Sequence, residues 1–398
     1  MGCSASRVAP PDESAWHEFG GAELEPHLAA TTIINVAWLL MFAKGEVMPE
    51  RKGVVPAWQQ LPPEATLDLA TLRQTTMYGC LPVAVLSYGW AAADEPDPTG
   101  ALLRQLVPVL ERMVHSCEHG VNGDGRGNKP AAWGIVWDYM SLPQRGRTTG
   151  YDKDKDDRTP YELARFMKGL KSINVWYAHE YVTTLVCDWL MPEGALNSAP
   201  IERRGWCIFE RRLSSVRKYS TCCLNLSGLA GVEGPYWFQL VDACKAGRFA
   251  PQAPDAFEAM LTAGMEREAA EAGSGFRFTN GKDATAICIP QYKEGFLRLM
   301  AKEGMLGFRD LGWGDAEVRE LAAALAYAHA AGATTQADKL ILNHNKLTDA
   351  SVPVLVELLA SGAVPKLKQL VVGYNKLSAS AKEELRAAGK ARGVRVYA

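Results

Sequence analysis

The chain has 398 residues, a formal net charge of −2 and 47% apolar residues, enough for two or three domains with a sizeable core. That balance excludes the basic surface of a nucleic-acid binder and the composition of a disordered chain. Its nine cysteines are odd in number, with no C-x-x-C pair and no histidine cluster; they argue against a disulfide framework or a zinc site and point to reduced thiols in a cytosolic protein.

The sequence opens MGCSAS. Gly2, Cys3 and Ser6 fit the pattern M-G-x-x-x-[ST], which predicts myristoylation of Gly2 with palmitoylation of Cys3 beside it. Two acyl chains anchor stably where one does not, so the expected location is the inner face of a membrane. Residues 1–20 are polar, contain Pro10 and Pro11, and read as a flexible tether. Residues 21–80 read as a helical N-terminal segment dominated by LAATTIINVAWLLMFA (Leu28–Ala43). With Thr31, Thr32 and Asn35 inside it, that stretch falls short of the roughly 20 apolar residues that cross a bilayer. The pattern predicts one long buried or interface-lying helix.

Between residues 81 and 228 strand and helix signals alternate. LPVAVLSYGW (Leu81–Trp90) reads as a buried strand, followed by a helix bearing Leu102, Leu103, Leu106, Val109, Leu110 and Met113, with Pro108 expected to kink it. AWGIVWDYMSLPQ (Ala132–Gln144) reads as a second strand ending at Asp138. The charged DKDKDD (Asp152–Asp157) has the alternating aspartates of a calcium loop, but Asp157 stands where that loop needs glycine and Leu163 where it needs glutamate. A solvated loop suffices. Leu163, Phe166, Met167, Leu170, Asn174 and Tyr177 mark a second helix at i, i+3, i+4, i+7 spacing. TTLVCDWL, RGWCIFERRLSSVRK and STCCLNL then read as strand, helix and strand. Such alternation predicts an α/β domain, a parallel sheet flanked by helices, with its sites beyond the carboxyl ends of the strands.

Residues 229–305 read as a helical connecting region. Over 306–398 the sequence repeats: KLILNHNKLT (Lys339–Thr348) and QLVVGYNKLS (Gln369–Ser378) align without gaps at an offset of 30 residues, and Leu306–Leu325 is a weaker copy. Asp315 and Asp349 are expected to cap helices. Strand–asparagine–helix units of this length resemble leucine-rich repeats of the ribonuclease-inhibitor type. The resemblance implies a small C-terminal α/β solenoid that binds a protein partner, its asparagines hydrogen-bonded to neighbouring backbone.

Four strings in order resemble the heterokaryon-incompatibility (HET) domain and, more distantly, TIR domains: AVLSYGW (Ala84–Trp90), IVWDYMSLPQ (Ile135–Gln144), FMKGLKSINVWYAHEYVTTLVCDWL (Phe166–Leu190) and RGWCIFE (Arg204–Glu210). The departures are Tyr88-Gly89-Trp90, where many HET domains have tryptophan then glycine, and a longer, charged insertion at 145–160. The resemblance implies flavodoxin-like layering and self-association. In TIR enzymes a W-C-x-x-E helix supplies the glutamate that holds the nicotinamide riboside of NAD and aids cleavage of its glycosidic bond; Glu210 is the match here. NAD would be a substrate, and no cofactor is implied.

Glu210 can also be read physically. Trp206, Phe209, Leu213 and Val216 form one apolar stripe, and Glu210 lies about 75° from its centre by the 100° advance per residue of a helix. It has no ion-pair partner at i±3 or i±4. A half-buried carboxylate in that position has a raised pKa unless a residue from elsewhere, such as Arg203, meets it. Ser87 and Tyr88 are candidates to contact phosphate or ribose, and Asp138 and Gln144 to bind a sugar. Trp90 and Trp206 join them as substrate-binding candidates. Each has a structural alternative, whether loop capping or packing. No G-x-G-x-x-G, P-loop or Ser–His–Asp order argues for a dehydrogenase, kinase or serine hydrolase. Two readings stay open: a membrane-tethered signalling or defence-type enzyme that cleaves NAD, and a non-catalytic assembly module with the same domains.

Overall fold

Strand pairing divides the chain between two sheets. The computed structural model describes residues 13–74, 79–121, 129–147 and 155–398; Gly2 and Cys3 lie outside them. Through the first part run α1 (Ser14–Glu18), β1 (Ile34–Asn35), α2 (Val36–Ala43), α3 (Leu69–Arg73), β2 (Val83–Ser87), α4 (Ala101–His119), β3 (Gly134–Val136), α5 (Asp138–Ser141), α6 (Pro160–Ala178), β4 (Thr183–Val186), α7 (Gly205–Ser214) and β5 (Cys223–Asn225). Their strands lie in the order β1-β3-β2-β4-β5, all parallel except β1, which runs antiparallel to β3 with Ile34 opposite Ile135. From β2 the chain goes to β3 on one side and then to β4 on the other. β2 and β4 therefore flank a switch point, where such sheets open a crevice beyond the strand ends.

Period-2 alternation gives each face its own core. Val83 and Val85 pack with Ile173, Trp176, Ile208 and Phe209 of α6 and α7. Ala84 and Leu86 pack with Leu39, Leu106 and Leu110 of α2 and α4, and with Leu240 of α8 (Trp237–Cys244). α4 runs through Pro108 without a break. α6 starts on a reciprocal cap, the Thr159 hydroxyl accepting from the Glu162 amide and the Glu162 carboxylate from the Thr159 amide. Only its second half is buried; Leu163 and Met167 of the expected stripe are exposed.

The long helix expected over Leu28–Ala43 does not form. Thr31, Thr32, Ile33 and Ile34 are β-branched and favour extended backbone, while the Asn35 side chain accepts from the Ala37 amide at 3.0 Å and caps α2. Residues 21–80 thus supply the antiparallel edge of the sheet and short turns rather than a purely helical segment. No helix among the described residues is long and apolar enough to cross a membrane.

Beyond α9 (Pro254–Ala270) and α10 (Ile289–Met300), strands β6 (Glu303–Gly307), β7 (Gln336–Ile341), β8 (Gln369–Val371) and β9 (Arg395–Tyr397) form a second, wholly parallel sheet. Helices α11 (Asp315–Ala330), α12 (Val352–Ala360) and α13 (Ala379–Ala391) connect them in turn. The 30-residue offset survives in space, with Leu340 beside Leu370. Asn345 Oδ1 accepts from the amides of Leu311 and Trp313, both at 3.0 Å, and its Nδ2 donates to the carbonyls of Phe308 and Leu342. Asp315 and Asp349 do not cap their own helices. Each reaches to the next unit instead, Asp315 accepting from the Thr348 amide and Asp349 from the Ser378 amide. Gly314 precedes α11 and its amide is met by Glu317, which leaves Asp315 free to do so.

Candidate functional site

The carboxyl ends of β2 and β3 deliver Tyr88 and Asp138 to one spot. The Tyr88 hydroxyl donates to Asp138 Oδ1 at 2.6 Å, Trp90 Nε1 to Oδ2 at 3.3 Å, and the Tyr139 amide to Oδ1 at 2.7 Å. Burial lifts the Asp138 carboxyl above its ordinary value, against the pull of these three donors. Gln144 shapes the loop behind, its Nε2 donating to the carbonyls of Asp138 and Leu142.

α7 brings Glu210 toward the end of β2. The residue is half-buried, as its position beside the apolar stripe predicts. Its Oε2 is shielded from solvent, and neither it nor the nearby Ser87 Oγ has a hydrogen-bond partner among the described residues. Arg203 does not meet it; that guanidinium turns to Glu268 and to the Gly275 carbonyl, both at 3.4 Å. Burial pushes the Glu210 carboxyl well above the usual carboxylate range, against the pull of the Ser87 hydroxyl, and the charge of Asp138 pushes the same way as burial. Tyr177 spends its proton on the Leu86 carbonyl at 2.6 Å, so toward Glu210 it is an acceptor. A protonated Glu210 fits these surroundings: it has a proton to donate where two hydroxyl oxygens stand nearby.

Between the loops that follow β2 and β4 lies a cavity of about 20 Å³, room for one water molecule. Gly89, Asp97, Gln105, Cys187 and Trp189 are among its walls. Asp97 is buried because it caps α4 from a distance, accepting from the Leu103 amide at 2.9 Å. Burial raises the Cys187 thiol, and the carboxylates of Asp188 and, to a smaller extent, Glu210 push the same way. The buried Cys207 thiol is raised as well and donates to the Tyr88 carbonyl, the behaviour of a packed rather than a nucleophilic cysteine.

The structure thus gathers Ser87, Tyr88, Trp90, Asp138 and Glu210 at the switch point, with Gln144 behind them. Ser87 and Tyr88 are buried, so in this form neither is open to a phosphate or a ribose. Trp206 stands apart, donating to Asp283 Oδ2 at 3.1 Å. Two members of the site were not singled out in the sequence. Tyr177 looked like one more residue of a helical stripe. Arg204 had a signal, the glycine of Tyr88-Gly89-Trp90: a Cβ at Gly89 would sit 2.5 Å from Arg204 Nε. Compared with known proteins, the chain matches no family model and no curated protein.

Proposed function

We propose that residues 81–228 form a HET/TIR-like effector domain that hydrolyses the N-glycosidic bond of NAD or a related nucleotide, with Glu210 as its essential carboxylate. One observation carries the reading: a carboxyl group with no ion-pair partner among the described residues lies at the switch point of a parallel sheet, with one shielded oxygen unmatched. Such a group costs stability where it stands, and groups of this kind concentrate at functional sites.

The chemistry suits it. Bond cleavage passes through an oxocarbenium-like transition state, which an anionic carboxylate stabilises. Burial favours the neutral form of Glu210, and the cationic nicotinamide ring of a bound NAD would favour its ionised form. Water then adds to the ribose carbon, the bond electrons neutralise the departing nicotinamide, and a proton is released. Asp138, braced by Tyr88 and Trp90, holds the loop against which Glu210 works. Because the free protein must lose the Glu210 proton, kcat/KM for nicotinamide release should rise with pH, with its midpoint above the ordinary carboxylate range. A profile flat from pH 5 to 8 would overturn this role for Glu210.

The second reading, a non-catalytic assembly module, is favoured by the size of the cavity, which side chains close down to one water. In either case we propose that β6–β9 and their helices form a short tail of ribonuclease-inhibitor-type leucine-rich repeats that binds a protein partner. The 30-residue register and the Asn345 bonds support that assignment. We also propose that acylation at Gly2 and Cys3 tethers the protein to a membrane.

A further inference from the structure

The loop 188–200 roofs the crevice, and apolar packing against the core holds it at Trp189, near its start. None of its residues is buried, and Leu190 and Leu196 are each 89% exposed. Beyond Trp189, a segment with so few apolar contacts depends on its polar links to stay closed. At its start, the Asp188 carboxylate accepts from the amide and hydroxyl of Ser227 at 2.8 and 2.7 Å. At its far end, the Asn197 amide donates to the Ala91 carbonyl at 2.9 Å.

The rest of the closure is one guanidinium. Arg204 donates from Nη2 to the Asn197 carbonyl at 2.8 Å, from Nε to that of Ala199 at 2.8 Å, and from Nη1 to that of Trp90 at 2.7 Å. It therefore ties the loop after β4 to the loop after β2, and other residues of both loops line the cavity. Arg204 is 7% exposed, and no carboxylate pairs with it among the described residues. A cation buried against carbonyls alone keeps much of its desolvation cost, so this arrangement is easier to release than a buried ion pair.

We propose that loop 188–200 is a lid and Arg204 its latch. With the guanidinium seated, the crevice holds one water; with it withdrawn, the loop lifts and opens the crevice toward Cys187 and Glu210. The purpose of the lid, admitting a nucleotide, rests on the reading given above, but its existence does not.

Limited proteolysis tests it. A glutamate-specific protease acting on the native full chain reports lid opening as cleavage after Glu193, which is exposed at the middle of the loop. Arg204→Lys keeps the charge and loses the fork, whereas Gly89→Ala presses on the guanidinium without removing it. Losing one charge-assisted hydrogen bond should speed that cleavage at least about tenfold in both variants, with cleavage elsewhere unchanged. An unchanged rate after Glu193 in both, or an equal acceleration at every site in both, would overturn the latch. Faster cleavage with no NAD turnover in any of the three proteins keeps the lid and removes the nucleotide reading. Turnover with an unchanged cleavage rate does the reverse.

Discussion

Glu210 binds its proton more tightly in the folded protein than in the unfolded chain, because burial disfavours its charge. Well below its ordinary value of 4.5 both states carry the proton and its ionisation costs the fold nothing. As pH rises through that value toward the raised one, the unfolded state ionises first and stability is lost. Glu210→Gln removes that loss. Its melting temperature should therefore exceed that of the wild type at pH 8, by a margin that shrinks toward pH 4; the same difference at both pH values would show that the carboxyl is not held neutral. The half-burial of Glu210 was legible from its angle on a helical wheel. What faced it was not, since Ser87, Tyr177 and Asp138 come from three other elements and no periodicity links them. Arg204 was harder still: its partners are backbone carbonyls, and its one trace in the sequence is the glycine at position 89 that makes room for it.

Periodicity located β2, β3, β4, β5, α6 and α7 because each carries a run or stripe of its own. It failed at Leu28–Ala43, where apolar content was continuous and the decision between strand and helix fell to β-branching at Thr31–Ile34 and to the Asn35 cap. In the repeats, the alignment of Asn345 with Asn375 was visible, but their unequal burdens were not. Asn345 is buried and serves two amides and two carbonyls, whereas Asn375, half-buried, serves one amide, that of Leu347, and donates to the carbonyls of Leu342 and Val372. Asn345→Ala should cost about 3 kcal/mol or more and Asn375→Ala about 1–2 kcal/mol, as read from chemical denaturation. Equal costs would mean that the asparagines are interchangeable fillers. Asp315 and Asp349 taught a similar lesson: a residue type typical of caps was recruited to join one unit to the next.

The two sheets share one apolar core. Val85 and Phe209 belong to the same cluster as Phe257, Tyr292, Leu299, Leu321 and Leu340, so α9 and α10 act as mortar rather than linker. Buried arginines cross the same boundary. Arg217 pairs with Glu180 at 2.6 Å and donates to the carbonyls of Leu299, Lys302 and Glu303, while Arg248 donates to those of Lys218 and Gly307. Thermal unfolding should accordingly be a single transition with coincident probes, and a chain ending at residue 305 should lose it. Two separated transitions would show that the repeats fold apart from the sheet domain. A sequence divided by composition at 228 and 305 gave no hint of this continuity, because core contacts join residues more than a hundred positions apart. For the whole molecule the central claim is that the switch-point carboxyl does chemistry. The most direct measurement is NAD consumption by purified, artificially clustered protein beside Glu210→Gln shown to be fully folded at the assay pH. The account predicts release of nicotinamide by the wild type and its loss in the variant. Equal turnover in both, or none in either, would contradict it.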